Sequence, residues 1–174
     1  SGSGPYTETI TIPTIQGTGP GPGNSRIGIT IIGNGEKITY NGGSTSNATI
    51  ELNGADYITF QNLEIERGSS GSYKWGVRLY NGANNIRFDS CTINLGTSYS
   101  TSYWVGILAS SSNTSMFSYG DHTNNLEVWN SNFIGGYYGM RINGTTSTSS
   151  GWSQGRDVVN NTFDCYYYGA YLYY

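Results

Sequence analysis

The chain has 174 residues, enough for one ordinary domain with a buried core. Only 11% are charged, against about 25% in a typical soluble domain, and Lys+Arg 8 against Asp+Glu 11 leaves a net charge of −3. These figures exclude a basic nucleic-acid surface, and no apolar run approaches the roughly 18 residues of a membrane helix. Gly (26) and Tyr (16) stand out beside abundant Ser, Thr, Asn and Ile, a mixture of turn and strand chemistry that argues against helix.

Residues 1–26 read as an N-terminal arm or cap with a lead-in strand over 6–13, where Pro13, Pro20 and Pro22 are expected to interrupt regular pairing. From residue 27 onward the chain reads as one repeating domain, 27–174. A first coil shows in Ile27-Gly28-Ile29-Thr30-Ile31-Ile32, closed by Gly33-Asn34-Gly35. Thereafter a short strand recurs from Ile50, Val77, Ile107, Met140 and Ala170, at intervals of 27, 30, 33 and 30 residues. A second strand follows the first four of these, at Ile58-Thr59-Phe60, Ile86-Arg87-Phe88, Leu126-Glu127-Val128 and Arg156-Asp157-Val158. Both alternate, which predicts one core face and one solvent face.

After each second strand comes a turn position, Asn62, Ser90, Asn130 and Asn160, followed three residues later by an apolar residue. One amide per coil, stacked at the strand spacing of about 4.8 Å, can bond to those above and below. These features predict an all-β fold, a right-handed parallel β-helix (β-solenoid) of about five coils with an inward Asn ladder and an open C-terminal end. Cys91 and Cys165 fall two coils apart in different columns, too far to bridge. Longer insertions at 66–75, 95–104, 110–124 and 144–156 mark loops on coil corners, where binding commonly resides.

The chemistry-bearing residues are sparse. Outward positions of the first strand run Glu51, Arg78, Leu108, Arg141 and Tyr171, with no stacked carboxylates. On the second strand Glu127 and Asp157 fall on adjacent coils, and Arg87 is expected to pair with Glu127 as an ordinary surface contact. His122, the only histidine, lies beside Asp121 with no second ligand in sequence reach. No catalytic residue, metal set or cofactor is expected, and the chain is read as a non-enzyme. An aromatic column is expected at Trp75, Trp104, Tyr138 and Tyr168, stacking on itself at a coil corner. Tyr171, Leu172, Tyr173 and Tyr174 form a candidate self-association edge, since an uncapped last coil exposes unpaired backbone.

Residues 29–33, 48–60, 84–86 with 91–93, and Gly135-Gly136-Tyr137-Tyr138-Gly139 resemble right-handed parallel β-helix segments of large secreted proteins of Bacteroidetes-type bacteria. The resemblance covers about residues 25–174. It implies export by the type IX secretion system and a role at the cell surface, adhesin-like and without assigned chemistry; the sorting domain such proteins carry at their C-terminus does not occur in these residues. The functional expectation is an extracellular structural or adhesive protein, part of a bacterial stalk, fibre or adhesin. Its partners would be other copies joined head to tail or further coils of the same polypeptide, with glycans as a second class, and no nucleic acid or membrane insertion. The alternative is a carbohydrate-binding or polysaccharide-cleaving β-helix.

Overall fold

Gly- and Asn-rich turns cut the apolar segments into strands too short to fold alone, so each must find its partner one repeat away. The structure, a computed structural model, describes residues 6–22, 26–42, 46–68, 71–97, 101–119, 123–144 and 154–173. In chain order, β1 (Tyr6–Thr7) and β2 (Ile10–Pro13) lead to a two-strand antiparallel pair, β3 (Gly19–Pro20) with β4 (Arg26–Ile27), then β5 (Ile29–Ile32) and β6 (Lys37–Tyr40). Three further coils follow: β7 (Ala48–Asn53), β8 (Ile58–Gln61) and β9 (Glu64–Arg67); β10 (Lys74–Tyr80), β11 (Arg87–Asp89) and β12 (Thr92–Asn94); β13 (Trp104–Ala109), β14 (Glu127–Trp129) and β15 (Asn132–Ile134). The last described coil is β16 (Tyr138–Asn143), β17 (Asp157–Val159) and β18 (Thr162–Asp164), and β19 (Tyr168–Tyr173) begins another.

Strands of equal rank pair in parallel. The first sheet runs β2-β7-β10-β13-β16-β19, the second β5-β8-β11-β14-β17, the third β1-β6-β9-β12-β15-β18. The chain is therefore a parallel β-solenoid of about five coils, with no α-helix among the described residues. Ile10, Ile50, Val77, Ile107, Met140 and Ala170 occupy one column, so the uneven repeat spacing read from sequence is the true coil register. Second-strand residues Thr59, Arg87, Glu127 and Asp157 align likewise.

The interior is a column of aliphatic and aromatic side chains from all three sheets, with Phe60 stacked on Phe88 at 5.1 Å and Phe133 on Phe163 at 4.7 Å. A glycine in the first strand of each coil from β10 onward, Gly76, Gly106, Gly139 and Gly169, makes this packing possible, where the β7 coil has Thr49. A Cβ on Gly76 would lie 2.7 Å from both the Gly106 carbonyl oxygen and Ile93 Cγ2, and one on Gly139 would lie 2.5 Å from Phe163 Cδ1. The side-chain alternation resets at this glycine. Trp75 belongs to an outer cluster, whereas Val77 and Leu79 point into the core.

The lead-in strand expected over 6–13 is present as β1 and β2, which pair with β6 and β7 as members of the third and first sheets. The structure corrects two other expectations. Pro20 does not prevent pairing but sits in β3 opposite Arg26, on a short isolated ribbon where a missing N–H is tolerated. The larger correction concerns the outer face of the first sheet, which is not solvent-exposed. Glu51, Arg78, Leu108 and Arg141 are all under 9% exposed. The segment from Ser110 to Tyr119 lies over them and inserts Met116, fully buried, among Trp75, Val105, Leu108 and Tyr138.

Candidate functional site

An Asn ladder forms in part, on the outer rather than the expected inner side of the turn, and the backbone explains its composition. Asn62, Ser90, Asn130 and Asn160 all adopt left-handed backbone with φ between 50° and 57°, a region Asn tolerates better than most residues. Asn160 Nδ2 donates to Asn130 Oδ1 at 2.8 Å, and Asn130 Nδ2 donates to Asp89 Oδ1 at 3.2 Å. These four residues lie on the solvent side of the turn. The inward bonds are made one residue later, where the Cys91 N–H donates to Ser131 Oγ at 3.1 Å and the Ser131 N–H donates to Asn161 Oδ1 at 2.8 Å. The left-handed backbone turns the Asn side chain out and the next side chain in.

A second ladder, unnoticed in the sequence, runs along the corner before the second strands. Asp56 Oδ1 accepts from the Asn84 N–H, Asn84 Oδ1 from the Asn124 N–H, and Asn124 Oδ1 from the Gln154 N–H, at 2.7–3.1 Å. Its signal was the Asn84-Asn85 and Asn124-Asn125 pairs, whose second members again have positive φ.

The aromatic column is only partly as expected. Trp75, Tyr138 and Tyr168 share a column, but Val105 fills the fourth place, because Trp104 pairs with Lys74 one residue earlier. Trp104 consequently lies beneath the Lys74 ammonium, 3.6 Å from ring centre. Aligning the repeats on Gly76, Gly106, Gly139 and Gly169, rather than on the aromatic residues, gives this register directly. Tyr138 and Tyr168 stack at 6.1 Å and 17°, and Tyr73, Tyr103 and Tyr137 extend the aromatic surface outward.

The covered face is held by charge as well as by Met116. Arg78 donates from Nε to the Ser110 carbonyl at 3.1 Å and from Nη2 to the Ser111 carbonyl at 2.8 Å. Arg141 Nε and Asn143 Nδ2 donate to the Met116 carbonyl at 3.1 and 2.8 Å. The sequence signal was Val105-Gly106-Ile107-Leu108-Ala109, an apolar run without alternation, as expected of a strand buried on both faces.

The carboxylates stay dispersed. Glu127 and Asp157 are register neighbours on the second sheet. Arg87 lies along this face, Nε 3.7 Å from Glu127 Oε2 and Nη2 3.2 Å from Asp89 Oδ2, with its guanidinium 3.7 Å over Trp129. Among the described residues no three His, Cys, Asp or Glu converge to hold a metal. His122 and Asp121 lie outside the described residues. Cys91 and Cys165 are both free, and burial raises the Cys165 thiol to about 11.

The two ends of the stack carry most of the exposed large apolar side chains among the described residues. On the last coil these include Val159, Tyr166, Tyr167, Tyr168, Leu172 and Tyr173, with Tyr171 half-buried among them and Tyr174 outside the described residues. At the opposite end Tyr6, Ile27, Ile29 and Ile32 are exposed, and a hollow of about 550 Å³ opens between Tyr6, Ile32 and Leu63. Strands β19, β17 and β18 are outermost at one end, β2, β5 and β1 at the other. Compared with family models, curated proteins and solved structures, the chain matches none of them.

Proposed function

We propose that this chain is a structural or adhesive β-solenoid of an extracellular bacterial surface protein, whose coil stack continues past β19 by head-to-tail docking of a second copy. One observation carries the reading. The two ends differ, yet each offers one edge strand per sheet, all in parallel orientation and flanked by exposed apolar side chains. Docking would place β2 beside β19 and β1 beside β18, repeating the pairing already made within the chain, while the second sheet, one strand shorter than the other two, would keep one open place between β17 and β5. Such a contact is heterologous and does not close, so it generates a fibre.

Sedimentation and negative-stain imaging of the 174-residue chain test this. Particles are expected to lengthen with concentration at constant width, and Leu172→Lys with Tyr173→Asp is expected to hold them at monomer length. A monodisperse monomer at every concentration rejects self-docking and leaves further coils of the same polypeptide as the continuation.

A second reading, glycan binding, draws on the exposed rings of Phe117, Tyr119, Tyr166 and Tyr167, which offer flat faces for sugar stacking. A glycan array separates the two, since the fibre reading expects no saturable sugar binding. Polysaccharide cleavage would rest on Glu127 and Asp157. Release of reducing ends by the wild type and not by Glu127→Gln is the outcome that favours it.

A further inference from the structure

Beside the third sheet lies a cleft of about 470 Å³ lined by Asn41, Glu66, Arg67, Lys74, Asn94 and Gly96. Two of its cations are almost wholly buried, Arg67 at 1% and Lys74 at 4% exposed. Arg67 spends its donors on backbone carbonyls: Nε on Asn47 at 3.1 Å, Nη1 on Tyr40 at 3.1 Å and Gly68 at 3.4 Å, Nη2 on Tyr73 at 3.5 Å. Its charge meets no carboxylate among these partners. The Lys74 ammonium rests on the Trp104 ring at 3.6 Å and has neither hydrogen bond nor ion pair among the described residues. The carboxylate in the cleft, Glu66, is already held by Lys37 Nζ at 2.7 Å.

With most of its side chain buried, Lys74 presents three ammonium donors and no protein acceptor among the described residues, a costly arrangement that an aromatic face compensates only in part. Burial, and after it the Arg67 charge, lower the Lys74 pKa. Both effects are relieved by an anion.

We infer that this cleft is an oxyanion site, in which a carboxylate, sulfate or phosphate group accepts hydrogen bonds from Lys74 and is held in the positive field of Arg67. Lys74 supplies the donors. Arg67, its own hydrogen bonds satisfied, supplies charge alone. The site stands independently of the fibre reading, since none of its residues belongs to either end of the stack.

The test titrates the 174-residue chain with sodium sulfate, sodium phosphate and sodium glucuronate at constant ionic strength, with glucose as the neutral control. Binding is followed by calorimetry and by tryptophan emission, to which Trp104 reports directly. Saturable binding of at least one anion is expected, weakened about tenfold or more in Lys74→Met, whose stem still covers Trp104. A second readout guards against a poorly folded variant: the anion raises the Tm of the wild type, and Lys74→Arg retains that rise. Binding of glucuronate alone assigns the group to an acidic sugar. Binding of sulfate and phosphate without glucuronate assigns it to an inorganic or esterified oxyanion. Absence of saturable binding by all three anions, or equal binding by Lys74→Met, overturns the proposal.

Discussion

Arg78 and Glu51 face each other across one strand spacing beneath the covering segment, Nη1 to Oε1 at 3.6 Å, with side chains only 6% and 10% exposed. Ser46 Oγ donates to Glu51 Oε1 at 2.9 Å, Tyr80 OH donates to Oε2 at 3.3 Å, and the guanidinium lies 3.9 Å over the Tyr80 ring. Each charge is thus paired and hydrogen-bonded in a largely covered place. Removing one partner leaves the other stranded, so Glu51→Ala is expected to cost about 3–5 kcal/mol. Glu127→Ala, at a half-exposed pair of similar length, is expected to cost under about 1 kcal/mol. Urea denaturation of the two variants measures the contrast, and equal losses would show that the covered face is wet.

Met116 fixes the covering segment by filling the hollow between Trp75, Leu108 and Tyr138. Met116→Ala is expected to cost about 2–5 kcal/mol, the range for a buried large-to-small change. It is also expected to expose the segment 110–119 to limited proteolysis while the far-UV spectrum stays unchanged. Unaltered proteolysis would mean that Arg78, Arg141 and Asn143 hold the segment without it.

Asn130 separates backbone from side-chain effects. Its φ of 50° penalises a Cβ, and its amide joins the outer ladder. Asn130→Ala is expected to cost about 1–2 kcal/mol, and Asn130→Gly less, because glycine accepts that conformation freely. If the two substitutions cost the same, the ladder bonds and not the backbone set the preference for Asn.

Lys74 and Lys37 act in opposite directions on alkaline stability. The folded pKa of Lys74 lies below the ordinary 10.5. Between the two values the unfolded chain binds the extra proton, so stability rises with pH in that window. Bonds to Glu64, then Glu66, raise Lys37 above 10.5. Its contribution is complete below the unfolded value and is lost as pH rises through the folded one. Stability-against-pH curves, read as wild type minus variant, are expected to show a rise removed by Lys74→Met and a fall removed by Lys37→Met. The same sign for both would contradict the assignment of partners.

The fold was legible in the sequence because a coil must put like residues in like columns. Ile50, Val77, Ile107, Met140 and Ala170 announce the register despite unequal spacing, and the asparagines announce the turn. What escaped lies in contacts with no period. The covering segment occurs once, so nothing repeats to reveal that Met116 turns back onto Leu108. Trp104 misled because ring size suggested equivalence with Trp75, whereas close approach at Gly76 and Gly106 fixes the alignment. The oxyanion cleft was invisible for a related reason: Arg67 and Lys74 belong to different sheets, and only the coil closure brings them together.

The covering segment departs from the coil structure in a further respect. Leaving coil four, it bonds to Arg78 of coil three and to Arg141 and Asn143 of coil five, and its Asn113 carbonyl accepts from Asn47 Nδ2 ahead of β7 at 2.6 Å. An unbraced solenoid touches only its neighbours, so a force applied along its axis peels it coil by coil. Here one strap crosses four coils, and tension reaching any of them is shared by the rest. Pulled from its ends, the middle of this molecule is expected to rupture in a single step at higher force, while the outer strands peel away first.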